Sequence, residues 1–282
     1  MSNPVDVHDL SKLTVGFVGG GNMAYAIAAG LISKGVLKPG QIIVSAKSLA
    51  NMQTRWKPLN VTRCTIKSVE VLTQADIIFL CVKPHVLSEC ATQIVNDAKG
   101  IDCAHKILVS ILAGVTLKRL NDVFGSLGIP IVRTMPNTPM QVAEGCTVFC
   151  AKFGASQQYE NVKFILNQLG IAFEVKEEQI NGITGLTGCG PAYVYEIIEA
   201  LADGAVKQGV SRDMALKMAA QTVMGAAKTV LETGKHPAVL KDEVCSPGGA
   251  TIYGVHELEK GAMRSTLINA VEKASARAAE LQ

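Results

Sequence analysis

Val15-Gly16-Phe17-Val18 is an apolar run that passes directly into Gly19-Gly20-Gly21-Asn22-Met23-Ala24 and then into an Ala-rich stretch ending near Ser33. Three consecutive glycines end a strand, and the alanines beyond them favour a helix. The segment therefore reads as strand, tight turn and helix. Its G-x-G-x-x-A spacing has a mechanical meaning. Gly19 permits the turn, Gly21 lets backbone come close to a bound pyrophosphate, and Ala24 lets the helix pack against the strand. The helix N-terminus then offers N–H groups and the positive end of its dipole to phosphate. Taken alone, the same residues could be a glycine-rich strand–helix turn with no ligand. Their weight comes from opening the first crossover unit of the chain.

That unit is repeated. β-rich runs at Leu13–Val18, Gln41–Ser45, Asp76–Val82, Lys106–Ile111 and Ile129–Thr134 alternate with helical patterns at Met23–Ser33, Val69–Thr73, Val86–Ala98 and Thr116–Phe124. Such alternation predicts a parallel sheet covered on both faces, with ligands at the carboxyl ends of its strands. Beyond about residue 175 the strand signals stop, and residues 188–282 read as helices separated by Gly, Pro and His-Pro breaks. The predicted fold class is α/β: an N-terminal Rossmann-type parallel-sheet domain over 1–176 and a C-terminal all-helical domain over 177–282. A length of 282 residues suits two domains.

Met214–Leu231 contains two charges, Lys217 and Lys228, and is apolar around nearly its whole circumference. Such a helix must be buried all round, and a domain of about 100 residues supplies too little chain to surround it. A second copy of the chain is the expected cover, so the helical part reads as a dimerisation domain; the bland alternative is burial against the first domain alone.

Composition narrows the partners. With 48% hydrophobic and 18% charged residues the chain cannot be disordered, and 5% aromatics do not make a nucleic-acid stacking platform. A net charge of +3 supplies no general pull toward nucleic acid or a membrane surface, so neither is expected as a partner. Val15–Ser33 is uncharged and nearly long enough to span a bilayer, but the glycine run interrupts it. The five histidines fall at no metal-ligand spacing and the eight cysteines form no C-x-x-C pair, so no metal is expected. The cysteines read as reduced core residues. Residues 1–12, with Asp6 and Asp9 against Lys12, do not resemble a targeting segment, and a cytoplasmic location is expected.

The dinucleotide can be narrowed further. A site for NAD usually places Asp or Glu after the second strand to hold the ribose 2′-hydroxyl. Here Ile43-Val44-Ser45-Ala46-Lys47-Ser48 has none, and from Leu10 to Val69 there is no acid against eight basic residues. Ser45, Lys47 and Ser48 could hold a 2′-phosphate, which predicts NADPH over NADH with NADH possible. Val82-Lys83-Pro84, Ala113-Gly114 and Met135-Pro136-Asn137-Thr138-Pro139 follow later strands, where a nicotinamide and its ribose would lie. In the helical part, Gly188-Cys189-Gly190-Pro191-Ala192-Tyr193 is a Gly-rich lead into a helix, with Pro191 in its first turn. Ser246-Pro247-Gly248-Gly249-Ala250-Thr251 opens another helix. Its N–H groups, with the Ser246 and Thr251 hydroxyls, make an anion site of carboxylate size; the bland reading is a simple N-cap.

These segments, in this order and over nearly the whole chain, resemble the Δ1-pyrroline-5-carboxylate reductase family. The stretch from Ser246 through His256-Glu257-Leu258-Glu259 to Arg264-Ser265 is the most specific of them. The resemblance implies NAD(P)H-dependent reduction of (S)-1-pyrroline-5-carboxylate to L-proline, the last step of proline biosynthesis. It implies helical domains interlocked in a homodimer, with dimers able to assemble into a ring such as a decamer. It places the ring-nitrogen contact on Thr251, the carboxylate contacts on Ser246, Gly249, Ala250 and Thr251, and a position near the substrate on Glu177. The implied cofactor contacts are Val18, Gly19, Gly20, Gly21, Asn22, Met23, Ser45, Ala46, Lys47, Ser68, Val82, Lys83, Pro84 and Ala113. Three departures stand out: Cys189 where relatives have serine, Ser68 where they often have asparagine, and Ala46 where some have a phosphate-binding serine. Two other readings compete. Dehydrogenases of the β-hydroxyacid type need a catalytic lysine after the Gly-rich lead, and Gly188–Val206 has none. A non-catalytic NADPH sensor would have no use for a carboxylate pocket.

Overall fold

The computed structural model describes residues 10–154 and 156–280. Of residues 1–12, which do not read as a targeting segment, the first nine lie outside the described residues. The strands are β1 (Val15–Val18), β2 (Ile42–Ser45), β3 (Arg63–Thr65), β4 (Ile77–Leu80), β5 (Ile107–Ser110), β6 (Ile131–Met135), β7 (Gly145–Ala151) and β8 (Gly170–Glu174). The helices are α1 (Asn22–Ser33), α2 (Leu49–Trp56), α3 (Ser68–Gln74), α4 (Leu87–Asp97), α5 (Leu117–Phe124), α6 (Gln157–Gln168), α7 (Ile180–Ile183), α8 (Gly190–Lys207), α9 (Arg212–Thr233), α10 (Pro237–Val244), α11 (Ala250–Lys260) and α12 (Met263–Glu280). They form two compact units, residues 10–188 with 274–280, and Cys189–Lys273.

The strands of the first unit make one sheet in the order β3-β2-β1-β4-β5-β6-β7-β8. The first six are mutually parallel, as the strand–helix alternation predicts. The parallel-sheet expectation needs one correction, because β7 runs antiparallel to β6. Between Met135 and Gly145 the chain has room for one 3-10 turn, Thr138–Val142, and a parallel return needs a crossover of a dozen or more residues. Helix α6 then provides that crossover, and β8 pairs parallel to β7. Order reverses between β1 and β4, and Val18 stands level with Ser45 on one side and Leu80 on the other. The carboxyl ends of β1, β2 and β4 thus open onto the switch point where such sheets bind dinucleotides.

Two apolar layers sandwich the sheet. One packs Phe17, Phe79, Ile27, Leu31 and Trp56; the other packs Ile78, Leu80, Leu108, Leu120 and Phe124. Burial of each such side chain stabilises the fold by about 1.5–3 kcal/mol relative to exposure. Val15–Ser33, the stretch of near-membrane length, divides into β1 and α1, and no described helix is long and apolar enough to cross a membrane.

The second unit is helical. Its buried core is small: Ala202 of α8 meets Ala215 and Ala219 of α9, with Ile198 and Val206 at the margin. The large apolar side chains of α9 have no cover in a single chain. Met218 is 55% exposed, Met224 56% and Leu231 70%. An apolar face of this size marks an association surface.

Candidate active site

The glycine-rich loop joins β1 to α1, and its glycines answer to different demands. Gly19 has φ +101°, and a Cβ there would lie 2.7 Å from the Cys81 carbonyl oxygen. Its N–H donates to Ser45 O at 2.9 Å, while Cys81 N–H donates to Val18 O at 2.7 Å. Gly19 is therefore required by the fold itself. Gly21 is different. It is the N-cap of α1 with no side-chain cap bond, and a Cβ on it would meet no atom within 4 Å. Nothing inside the chain asks for glycine there. Open space above an uncapped helix N-terminus suits a phosphate that approaches the backbone closely. Asn22 and Met23 are the first two residues of α1.

Beside the loop, a cleft of about 170 Å³ opens at the ends of β1, β2 and β4. It brings together seven of the expected cofactor residues, Val18, Gly19, Ser45, Ala46, Lys47, Ser68 and Val82. The buried Ser45 hydroxyl donates to Phe17 O at 3.5 Å and lies 3.3 Å from the Ser68 hydroxyl. Lys47 Nζ lies 3.8 Å from Glu89 Oε1, and both side chains are exposed. Cys90 also lines the cleft; burial and then the charge of Glu89 push its thiol up, so it stays neutral. Lys83 caps the 3-10 turn Pro84–Val86, which leads into α4, and Ala113 follows β5 beside Gly114. Asn137 has a structural use: it donates to Thr187 O at 3.0 Å and accepts from Cys146 N–H at 2.9 Å, tying down the β6–β7 loop.

Two side chains outside the expected set hold this end together. Trp56, fully buried, donates its indole N–H to Gly20 O at 3.2 Å. Arg55 donates to Asn22 Oδ1 and lies over the Tyr25 ring, 5.6 Å from its centroid. Neither belongs to a motif; the i,i+4 spacing of Met52 and Trp56, which puts those two on the buried face of α2, signals Trp56 alone, and Arg55 stays exposed.

Glu177, expected near the substrate, meets the chain's own donors. Its Oε1 accepts from Leu117 N–H at 2.6 Å and from Arg133 Nη1 at 3.1 Å, and its Oε2 is 3.3 Å from Lys152 Nζ. Arg133 is 2% exposed and also donates to Asn181 Oδ1 at 3.3 Å. Burial opposes ionisation of this carboxyl, but the bonds from Leu117, Arg133 and Lys152 outweigh it and hold Glu177 below the usual carboxylate range. Its oxygens are committed to the chain's own donors. Glu177 ties β6, the start of α5 and the end of β7 together.

In the second unit, Ser246 to Thr251 form one turn between α10 and α11. Gly249 is the N-cap of α11, without a side-chain cap bond, and its N–H donates to Ser246 O at 3.0 Å. A Cβ on Gly249 would collide with Ser246 Oγ, which lets the hydroxyl sit against the turn. Ala250 and Thr251 are the first two helical residues, so their N–H groups and that of Ile252 have no intrahelical acceptor. The exposed Thr251 hydroxyl bonds no described residue. The turn thus gathers Ser246, Gly249, Ala250 and Thr251 at the N-terminus of α11. At the other Gly-rich lead, Cys189 is the N-cap of α8.

Comparison with known proteins agrees with this geometry. Residues 14–114 match a family model described as NADP oxidoreductase, coenzyme F420-dependent, and residues 177–281 match one described as pyrroline-5-carboxylate reductase dimerisation. The latter includes the uncovered apolar α9. A pyrroline-5-carboxylate reductase of Arabidopsis thaliana is 42% identical over 268 residues, covering 95% of each chain. Human pyrroline-5-carboxylate reductase 2 is 40% identical over 277 residues, covering 96% of this chain and 84% of that one. The crystal structure of Plasmodium falciparum pyrroline carboxylate reductase with NADP bound superposes with a TM-score of 0.84 at 32% identity, covering 96% of this chain and 98% of that chain. On this likeness, which runs from the glycine-rich loop to the last helix, the chain belongs to the pyrroline-5-carboxylate reductase family.

Proposed function

We propose that this protein reduces (S)-1-pyrroline-5-carboxylate to L-proline at the expense of NADPH, with NADH as a possible second donor, the last step of proline biosynthesis. The observation that carries the reading is the near-full-length likeness to reductases named for this reaction. The geometry fits the cofactor: the open face of Gly21, the uncapped start of α1, and the cleft holding Ser45, Lys47 and Ser68 suit the pyrophosphate and the adenosine end of a phosphorylated dinucleotide. On this reading Gly19, Gly20, Gly21, Asn22 and Met23 hold the pyrophosphate. Val18, Ser45, Ala46, Lys47 and Ser68 hold the adenosine end, and Val82, Lys83, Pro84 and Ala113 line the way to the nicotinamide.

When bound, the reduced nicotinamide supplies the hydride. The imine carbon gains that hydride, and the ring nitrogen, protonated beforehand, becomes the secondary amine of proline. A protonated imine is already electrophilic, so the protein's task is orientation, which can supply several kcal/mol of the barrier. The N–H groups at the start of α11 and the Ser246 hydroxyl bind the substrate carboxylate. The Thr251 hydroxyl bonds the ring nitrogen, making it the catalytic contact. Glu177 serves from a distance by fixing Arg133 and the start of α5.

The protein carries a dimerisation domain; association of dimers into a ring such as a decamer is part of the proposal, supported by the exposed Ile268 and Leu258 of the helical unit. A cytoplasmic location goes with the reading, supported by eight free cysteines. The test is a spectrophotometric assay with pyrroline-5-carboxylate and each dinucleotide. Substrate-dependent NADPH oxidation yielding proline is expected; no turnover with either dinucleotide would defeat the proposal.

A further inference from the structure

The stretch from Leu10 to Val69 holds no acid, yet the fold delivers one to the adenosine end of the cleft. Glu89, in the first turn of α4, lines the same cavity as Ser45, Ala46, Lys47 and Ser68. Its Oε1 is 3.8 Å from Lys47 Nζ, with the two side chains 74% and 84% exposed. A pair this exposed adds little to stability, and each partner can exchange for another at little cost. The pair is therefore better understood by what it offers a ligand. A 2′-phosphate drawn to Lys47 meets Glu89 as a like charge close behind. A bare ribose 2′-hydroxyl meets a carboxylate acceptor, the group that NAD-binding sheets present after their second strand.

We propose that Glu89 is a specificity-determining residue: by pairing with Lys47 and accepting from a ribose hydroxyl, it admits dinucleotides without the 2′-phosphate and moderates the preference for NADPH. The inference rests on the cleft being the adenosine end of the cofactor site. The competing explanation is that an acid at this point merely complements the dipole of α4. That explanation predicts a small change in stability and no change in cofactor choice.

The full-length protein and its E89Q, K47M and K47M/E89Q variants distinguish these. Affinity is read without turnover, from energy transfer between the sole tryptophan, Trp56, and bound NADPH or NADH, and from calorimetric titration with 2′,5′-ADP and 5′-ADP. Thermal unfolding of each variant confirms that it is folded. E89Q should raise the ratio of the NADH to the NADPH dissociation constant by about threefold to tenfold, the size expected for one like charge at a solvated site. The change should appear equally in the two ADP probes and shrink at high salt. K47M should lower the same ratio, and the double variant should differ from the sum of the singles, since the two groups face each other. If K47M shifts the ratio and E89Q does not, Glu89 has no part in selection and the inference fails. If neither variant alters the affinity of any of the four ligands, the adenosine end lies elsewhere and the site reading falls with it.

Discussion

The indole N–H of Trp56 donates to the carbonyl oxygen of Gly20 at 3.2 Å, so the last turn of α2 holds the glycine-rich loop from beneath. The ring is fully buried between Phe17, 5.6 Å away between centroids, and Tyr25, at 5.9 Å. The loop proposed to hold the dinucleotide is thus anchored by a core residue. Trp56→Phe removes the bond and part of the volume and should cost about 1–3 kcal/mol, read from urea unfolding. NADPH affinity, read by calorimetry, should fall in the same variant.

The contrast between Gly19 and Gly21 gives a second prediction. Gly19→Ala places a side chain at φ +101° against the Cys81 carbonyl and should destabilise by more than about 2 kcal/mol. Gly21→Ala meets nothing in the protein and should cost only about 1 kcal/mol, the preference of an N-cap for glycine over alanine. Its NADPH dissociation constant should nevertheless rise several-fold, because the added methyl occupies the approach of the pyrophosphate.

Glu177 makes stability depend on pH in a definite direction. Its folded carboxyl titrates below its unfolded value, so its contribution is present above the unfolded pKa of about 4.3 and is lost as pH falls through the folded value. Glu177→Gln leaves the buried Arg133 without its counter-charge and should cost about 3 kcal/mol at neutral pH. In the variant, the acid limb of the stability profile should be shallower than in wild type.

Thr251 offers the exposed hydroxyl next to the α11 N-terminus. Thr251→Ala should lower kcat/KM for pyrroline-5-carboxylate by roughly tenfold to a thousandfold, with Thr251→Ser recovering much of the loss. NADPH binding, measured without substrate, should not change. Wild-type kinetics in a folded Thr251→Ala protein would remove this hydroxyl from the mechanism.

The uncovered face of α9 predicts the assembly. Met218→Glu and Met224→Glu put charges on side chains more than half exposed in the single chain, so the isolated unit should tolerate them. An interface that buries them should not. Light scattering should show wild type as a dimer or larger and the double variant shifted toward monomer.

Legibility in the sequence followed physical locality. The β1 loop was readable because a tight turn and an uncapped helix start leave glycine in fixed positions. Helices α8 to α12 were readable from their breaks, since Pro191, Pro237 and Gly234 mark ends by backbone chemistry. β3 is three residues long with an arginine, and β8 exposes Ile171 and Phe173, so neither shows the buried apolar run of a central strand. Arg133 sits inside a strand that reads as core; its partners Glu177 and Asn181, far along the chain, explain it. Glu89 was invisible for the same reason. The rule that looks for an acid after the second strand cannot see one that the sheet order brings in from α4.

The proposed reaction requires a dinucleotide on the Gly19–Met23 loop and the substrate carboxylate on the Ser246–Thr251 turn. A crystal grown with NADPH and L-proline tests it directly. Pyrophosphate density is expected over Gly21, and the proline carboxylate bonded to the N–H groups at the start of α11 with its nitrogen beside the Thr251 hydroxyl. Either molecule bound elsewhere would contradict it.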